Sequence, residues 1–249
     1  MDLPPGSDTL VEAVAAANPN LVVVNQSGTP VSMPWVSSVP AVVQAWYGGN
    51  ETGNAIADVL FGAANPSGKL PLSWPVRVED NPAFINTRVD GGKVLYGEGI
   101  YIGYRWYEKT KKEVLFPFGH GLSYTTWELA NLVVREQTEA SVRISVEVAN
   151  RGPRDGAEVV QIYVSPRVSS AQRPPKELKG FAKVQVPTGE TRLAQVELDT
   201  KYACSFWDAT ADCWTMEEGT YDVLVGNSSR NVVLQAAFDV GKTMRWRGL

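Results

Sequence analysis

The strongest strand signal in the chain is the stretch Val142-Arg143-Ile144-Ser145-Val146-Glu147-Val148, in which apolar and polar side chains alternate strictly. A period of two places the four apolar side chains on one face of a β-strand. The turn-forming run Asn150-Arg151-Gly152-Pro153 follows directly. Six further short strands are predicted downstream between turn signals, at residues 159–164, 181–186, 193–198, 203–207, 221–225 and 232–240. Seven or so short strands of this kind predict an antiparallel β-sandwich.

Upstream, the period changes and residues 1–75 alternate helix and strand signals. Residues 21–24 form an unbroken apolar run, which is typical of a strand buried on both faces, and residues 41–46, apolar except for Gln44, resemble a second such strand. Apolar stripes at helical spacing lie within residues 10–17 and 55–60. The order helix, strand, strand, helix predicts an α/β layered domain with a largely parallel sheet. Only about two strands are visible, so we expect part of this domain to lie outside the chain.

Helix ends are also predicted from the sequence. Thr9 and Glu12 have the spacing of a capping box, Asn50 suits an N-cap, and Gly62 suits a helix stop.

The middle of the chain, residues 76–128, is rich in glycine and aromatic residues and shows no regular period. We expect this segment to wrap over the preceding layer and to pack its rings there, because a structureless loop of this length is uncommon. The predicted organisation is therefore a partial α/β domain at residues 1–75, a wrapping linker at 76–128, a β-sandwich of immunoglobulin or fibronectin type at 129–241, and a C-terminal tail at 242–249. We expect residues 129–241 to fold alone and residues 1–75 not to.

Composition excludes several classes of function. The net charge of −4 gives no electrostatic reason to expect nucleic acid or an anionic membrane as a partner. No apolar run approaches the roughly 20 residues that span a bilayer. The first residues lack the pattern of a signal peptide, and the cellular location stays open.

Several motifs resemble glycoside hydrolase family 3, and most closely the fungal β-glucosidases of that family. They occur in order along the chain and read AWYGGNETGNAIADVLFG at residues 45–62, NPSGKLP at 65–71, FPFGHGLSY at 116–124 and GTYDV at 219–223. The resemblance implies an N-terminal barrel that supplies an aspartate nucleophile, an α/β sandwich that supplies an acid/base glutamate, and a fibronectin type III-like domain. The barrel has no counterpart here, and the family's glutamate lies just upstream of the segment matched by Met1-Asp2-Leu3-Pro4. The resemblance therefore assigns neither catalytic carboxylate to this chain.

Two glutamates are candidates from the residues alone, because retaining glycosidases need two carboxyl groups about 5–5.5 Å apart. Glu51 lies in a glycine-rich turn, where an acidic residue in a first helical turn is the simpler interpretation. Glu98 lies in an aromatic loop, where a solvated carboxylate is the simpler interpretation. We therefore assign no catalytic residue and leave the substrate-binding residues unknown.

His120, the only histidine, is expected to be structural and hydrogen bonded, because no second histidine or cysteine pair offers a zinc site. A motif for a serine nucleophile is absent from the sequence, and Gly97-Glu98-Gly99 is a weak match to a dinucleotide loop. No metal or cofactor is expected. Six rings could stack on sugars but fit a core better, at Trp46, Tyr47, Tyr101, Tyr104, Trp106 and Tyr107.

Cys204 and Cys213 flank a turn-like stretch and are predicted to lie on opposite faces of a β-hairpin whose turn is centred on Thr210. In that register Phe206 faces Trp214, and both thiols stay free.

The resemblance implies the C-terminal portion of a β-glucosidase that hydrolyses terminal non-reducing β-D-glucosyl residues of cello-oligosaccharides or aryl β-glucosides. Its expected partners are that substrate and the N-terminal barrel, and the chain alone is expected to be inactive. Two alternatives stay open: a non-catalytic carbohydrate-binding or interaction protein, and a portion of a β-xylosidase.

Overall fold

The structure, a computed structural model, describes residues 1–138 and 140–248. The chain divides into two compact units. The first unit comprises Met1–Ala64, Trp74–Gly97 and Glu113–Leu115, and the second comprises Asn65–Ser73, Glu98–Lys112 and the chain from Phe116 onward. None of the helices in the described ranges combines the length and apolar character needed to cross a membrane.

The first unit contains two helices and two small sheets. Its regular elements are α1 (Ser7–Ala17), β1 (Val22–Asn25), β2 (Ala41–Gln44), α2 (Thr52–Leu60) and β3 (Trp74–Pro75), with short 3₁₀ helices at Val36–Ser38, Gly49–Glu51 and Val78–Asp80. The strands β1 and β2 are parallel, with Val22 opposite Ala41 and Asn25 opposite Gln44. This pairing confirms the parallel α/β arrangement.

Several local predictions for the first unit need correction. Helix α1 begins two residues before Thr9, with Gly6 at the N-cap and no side-chain cap, so the capping box is wrong. Asn50 is not the N-cap of α2, because a 3₁₀ turn leads into that helix and puts Glu51 at the cap position. The stop at Gly62 is confirmed, since this glycine has a φ of 76°. Val22 is 44% exposed, so β1 is not buried on both faces.

The second unit is built on a seven-stranded antiparallel β-sandwich. The remaining elements of the chain are α3 (Tyr104–Lys109), β4 (Val114–Phe116, paired with β3), β5 (Trp127–Thr138), β6 (Ser141–Asn150), β7 (Gly156–Pro166), β8 (Glu177–Val186), β9 (Thr191–Asp199), α4 (Thr200–Cys204), β10 (Phe206–Asp208), β11 (Cys213–Met216), β12 (Gly219–Gly226), β13 (Val232–Val240) and β14 (Met244–Trp246). One sheet has the order β5-β6-β9 and the other β13-β12-β7-β8. The order β10-β11-β14 forms a third, smaller sheet.

The core of the sandwich confirms the alternation of residues 142–148. Val142, Ile144, Val146 and Val148 are each at most 2% exposed and join one continuous apolar cluster with side chains from the facing sheet. Removing this apolar surface from water is the main driving force for the fold of the unit.

The pattern did not predict strands β5 and β14, the second of which lies in the predicted tail at residues 242–249, and it misplaced part of one further strand. Strand β5 escapes prediction because Asn131 has a φ of 51° and the pairing with β6 shifts register between Ala130 and Val133, which breaks the period of two. The strand predicted at 203–207 is correct only for Phe206 and Trp207, because Ala203 and Cys204 belong to α4. Asp199 Oδ1 accepts the Tyr202 N–H at 3.2 Å and caps α4 there, so the strand starts only at Phe206.

The hairpin register is also one residue away from the prediction. Trp207, not Phe206, lies opposite Trp214, and Asp208 lies opposite Cys213. Cys204 belongs to α4 rather than to the hairpin. Both thiols are free and buried, in agreement with the prediction but for a different reason. Burial raises the pKa of the Cys204 thiol to about 12, which keeps it protonated.

Candidate functional site

The two glutamates considered from the sequence lie in different units. Glu51 is exposed at the start of α2, where its Oε2 accepts a hydrogen bond from Asn54 Nδ2 at 2.6 Å. Glu98 is half-buried in a loop of the second unit, and its carbonyl accepts the Tyr101 N–H. Glu51 therefore has the helix-start position that its simpler interpretation requires. Within the described residues, no three His, Cys, Asp or Glu side chains form a group that could hold a metal ion.

A polar cluster closes the carboxyl ends of the parallel strands in the first unit. Asn25 ends β1 and is 7% exposed, and its Nδ2 donates to Oε1 of Gln44, the last residue of β2, at 2.6 Å. Gln44 Nε2 in turn donates to the carbonyl of Ser27 at 3.0 Å. Ligands of open α/β sheets bind outside the carboxyl ends of parallel strands. We therefore regard this edge as the candidate site of the first unit.

Two aromatic residues follow β2 at this edge. Trp46 has a φ of 51°, which costs about 1–3 kcal/mol for a residue with a side chain, and its ring packs against Trp74 at 6.3 Å. Trp74 is 1% exposed and donates its Nε1–H to the Val31 carbonyl. Tyr47 is different, since it is 83% exposed and rests against the backbone of Gly28. Trp46 thus contributes to the core, whereas the ring of Tyr47 is open to a ligand.

In the second unit, the family-like motifs NPSGKLP and FPFGHGLSY bind each other through their backbones. Leu70 donates its N–H to the His120 carbonyl, and Gly119 donates its N–H to the Leu70 carbonyl, both at 2.8 Å. Asn65 Oδ1 accepts hydrogen bonds from Ser123 Oγ and the Tyr124 N–H. We call residues 65–71 together with 116–124 the clasp.

A buried ion pair attaches the clasp to strand β7. Lys69 Nζ lies 2.7 Å from Glu158 Oε1, and the two side chains are 11% and 2% exposed. Lys69 Nζ also donates to the Gly121 carbonyl at 2.8 Å, and the Val159 N–H donates to Glu158 Oε1. Burying two charges is favourable only with such extra hydrogen bonds. The pair is therefore well placed to hold the clasp on the sandwich.

Gln161 forms a second attachment between the clasp and β7. Its Nε2 donates to the carbonyls of Gly119 and Asn227, and its Oε1 accepts the Tyr163 hydroxyl at 2.7 Å. Gly119 has a φ of 81°, and a Cβ at this position would overlap the Gln161 amide. Only glycine satisfies both the turn and the close approach at this point.

The aromatic residues of 98–112 pack on the β-sandwich rather than on the preceding layer, which corrects the prediction. Tyr104 stacks on Phe118 at 4.8 Å and meets Tyr163 edge-on at 5.9 Å. The Tyr104 hydroxyl accepts the Leu178 N–H at 2.7 Å, while burial raises the pKa of Tyr104. Tyr107 is 3% exposed. These rings belong to the core, because each removes a large apolar area from water.

Three further predicted residues have less defined roles. The Tyr101 hydroxyl reaches the Arg173 carbonyl at 3.5 Å, and Trp106 is half-buried on α3. His120 stacks on Phe116 at 5.1 Å, and its backbone joins the clasp. Burial, together with the positive charge of Lys69, lowers the pKa of His120. A neutral imidazole packed in this way suits a structural role.

Sequence reasoning missed Asn25, Gln44, Lys69, Glu158 and Gln161. A usable signal existed for two pairs of them. Asn25 and Gln44 are the first polar residues after apolar strand runs, and Glu158 and Gln161 interrupt the apolar stretch of residues 157–164. A polar residue within a buried strand needs a partner, so these positions mark contacts even though the partner cannot be read from the pattern.

Comparison with known proteins agrees with this architecture. Residues 1–124 match the glycosyl hydrolase family 3 C-terminal domain, and residues 158–229 match a fibronectin type III-like domain. The protein named "Probable beta-glucosidase H" of Aspergillus flavus is 53% identical over 255 residues, which include all of this chain and 31% of that protein.

Solved structures show the same relationship. The β-glucosidase of Kluyveromyces marxianus, determined in complex with glucose, superposes with a TM-score of 0.96 at 50% identity and covers all of this chain and 30% of its own. β-Glucosidase 3B of Thermotoga neapolitana, determined with α-D-glucose, has a TM-score of 0.93 at 33% identity and covers 99% of this chain and 35% of its own.

The chain thus spans about 30% of the length of the relatives that it matches. The two domain matches occur in the family's order, and the identity is about 50% along the whole chain, so together they identify the family. The chain belongs to glycosyl hydrolase family 3 and carries the family's C-terminal domain followed by a fibronectin type III-like domain.

Proposed function

We propose that this chain is the C-terminal portion of a retaining β-glucosidase that releases terminal non-reducing β-D-glucosyl residues from cello-oligosaccharides or aryl β-glucosides. The observation that carries the proposal is the match along all 249 residues to a β-glucosidase whose structure was determined in complex with glucose, at 50% identity and a TM-score of 0.96.

In this proposal no residue of the chain is catalytic. Retaining hydrolysis requires a nucleophilic carboxylate and an acid/base carboxyl group about 5–5.5 Å apart. The exposed Glu51 occupies the N-cap position of α2 without a side-chain capping bond, and its carboxylate accepts a hydrogen bond from Asn54. The family resemblance assigns both catalytic groups to sequence upstream of residue 1. No metal or organic cofactor is needed for this reaction, since the two carboxyl groups carry it.

The two units would then have different tasks. The carboxyl edge of β1 and β2, with Asn25, Gln44 and the open ring of Tyr47, would form one wall of the substrate cleft. The β-sandwich would act as a rigid brace, because its clasp is attached by the buried Lys69–Glu158 pair and by Gln161. The upstream barrel is the main partner of the chain in this arrangement.

A chimera tests the proposal. The part of the K. marxianus β-glucosidase that this chain does not match would be joined to residues 1–249, and the hydrolysis of an aryl β-glucoside and of an aryl β-xyloside would be measured. We expect the chimera to hydrolyse the glucoside, and the upstream part alone and the chain alone to be inactive.

Three outcomes would contradict the proposal. A folded chimera without glucosidase activity would argue against a β-glucosidase role, and preference for the xyloside would favour a β-xylosidase. Turnover by the isolated chain that is lost on Glu51→Gln would show that catalytic groups are present in it. The matched control for that variant is Glu79→Gln, which changes another glutamate of the first unit.

A further inference from the structure

A row of three tryptophans crosses the small sheet of the second unit. Trp207 on β10 lies opposite Trp214 on β11, and Trp214 lies opposite Trp246 on β14. Directly opposed residues of antiparallel strands share one face of the sheet. The rings of Trp207 and Trp214 meet edge-on at 5.7 Å, and Trp207 is 47% exposed.

Helix α4 extends this row. Lys201 Nζ lies 4.3 Å from the ring centroid of Trp246 and 5.6 Å from that of Tyr202, so the ammonium group bridges the two rings. Tyr202 is 50% exposed. Tyr202, Trp246, Trp214 and Trp207 therefore follow one another in an aromatic strip. Trp246 packs against the sandwich core and lies under Lys201, so Trp207 and Tyr202, at the two ends, are the rings open to a ligand. With neighbouring strands about 4.8 Å apart, the three tryptophans extend over about 10 Å, close to the length of two pyranose rings.

A pocket of about 330 Å³ lies at the Tyr202 end of the strip. Its lining combines apolar side chains with charged and phenolic groups, at Leu178, Lys179, Glu197, Leu198, Asp199, Tyr202 and Ala203. This volume is at the lower end of the range for small-molecule sites.

The charged groups of the pocket already have partners within the protein. Glu197 lies 3.4 Å from Arg143, Asp199 caps α4, and Lys179 Nζ lies 3.6 Å from Glu177 and donates to the Tyr202 carbonyl. With Lys201 included, two positive and two negative side chains border the strip. A charged ligand gains little from such a balanced border, whereas a neutral ligand with many hydroxyl groups finds both donors and acceptors.

We propose that the aromatic strip and its pocket bind a segment of β-glucan chain. Pyranose rings present apolar C–H faces, which stack on Trp207 and Tyr202, and equatorial hydroxyls, which reach the polar groups of the pocket. The site lies on the fibronectin type III-like domain and would hold the polysaccharide without hydrolysing it. The proposal extends the proposed function to polymer binding, and its test needs no catalytic activity.

Isothermal titration calorimetry of the 249-residue chain with cellohexaose tests the site. We expect binding that Trp207→Ala weakens about tenfold and Tyr202→Ala weakens severalfold. The matched control is Phe181→Ala on β8, because Phe181 is an exposed aromatic residue (66%) that lies outside the strip. The affinity of the Phe181→Ala variant for cellohexaose should stay within twofold of that of the unsubstituted chain. Circular dichroism of each variant confirms that the fold is retained.

Three results would overturn the site. These are no heat of binding at millimolar cellohexaose, equal weakening by Phe181→Ala, and equal binding of the α-linked maltohexaose. The first is also the result expected if the strip instead docks another part of the parent protein. The test is separate from that of the proposed function, because an active chimera and a chain that binds no cellohexaose would remove only this inference.

Discussion

The two units of the chain bury their apolar side chains to different extents. In the second, β6 and β7 contribute Ile144, Val148 and Val160 at 0% exposure to one continuous core. In the first, Trp74 is 1% exposed, but Phe61 is 88% exposed, and no residue of α1 or α2, all of them described, is buried. Since apolar burial is the dominant favourable term in folding, the second unit has the means to fold by itself and the first has much less.

The polar contacts differ in the same direction. In the second unit both side chains of the Lys69–Glu158 pair are covered and the pair has additional hydrogen bonds, whereas in the Arg77–Asp80 pair of the first unit the aspartate is covered and the arginine side chain is 68% exposed. This contrast indicates that polar contacts fix the clasp on the β-sandwich more firmly than they fix the α/β part.

Fragments that separate the two units should differ most clearly in stability. Residues 65–249 should unfold in one cooperative thermal transition followed by circular dichroism, and residues 1–64 should show none. The fragment starts at Asn65 rather than 129 because the clasp carries Lys69, without which Glu158 would be buried and unpaired. A cooperative transition in residues 1–64 would contradict the expected difference in stability between the two units.

Next in size is the loss of the buried ion pair. Lys69→Met should destabilise the chain by about 3–5 kcal/mol, because it leaves the Glu158 carboxylate buried without its partner. Urea unfolding measures the change. The control is Arg192→Met, because the Arg192–Glu190 pair is exposed on both sides (54% and 48%) and its loss should leave the midpoint nearly unchanged. Similar losses in both variants would show that burial of the Lys69–Glu158 pair adds no stability of its own to the second unit.

A glycine of the clasp is expected to tolerate substitution less well than a glycine of the first unit. Gly119→Ala should cost about 3 kcal/mol, because the new Cβ is held at a φ of 81° and displaces the Gln161 amide from its hydrogen bonds. Gly49→Ala has a φ of 66° but open space around it, so only backbone strain of about 1–2 kcal/mol remains. Equal costs in urea unfolding would show that the clasp does not constrain this turn.

The smallest effect concerns pH. The pKa of His120 is lowered in the folded chain, so the unfolded chain binds its proton first as the pH falls below about 6.5. The contribution of His120 to the free energy of unfolding is therefore fully present above pH 6.5, and it is lost as the pH falls from there through the pKa of the folded chain. Because His120 is the only histidine, His120→Phe should flatten the stability profile between pH 6.5 and 5. An unchanged slope would exclude a role for this ring.

Much of the fold was predictable from local pattern. The alternation of residues 142–148 identified the sandwich, and the apolar runs near residues 21–24 and 41–46 identified two parallel strands. Prediction failed where a single residue changed the local geometry. The positive φ of Asn131 hid β5, and the Asp199 cap turned part of the predicted strand at 203–207 into α4. Such effects depend on backbone conformations that a period of two cannot represent.

The candidate sites were less predictable, because their residues are distant in sequence. The motifs NPSGKLP and FPFGHGLSY were recognisable, but their contact with Glu158 and Gln161 was not. The tryptophan row was hidden by a one-residue error in the hairpin register, since the predicted register paired Phe206 with Trp214.

Periodicity and local motifs are properties of neighbouring residues, and they predicted the two fold classes, their order and the family. The packing of the aromatic segment 98–112 on the β-sandwich and the burial of Lys69 against Glu158 became visible in the folded structure. It alone brought Trp207, Trp214 and Trp246 into one row. The physical reason is that burial, ion pairing and strand register depend on which distant segments exclude water from each other, and no local pattern contains that choice.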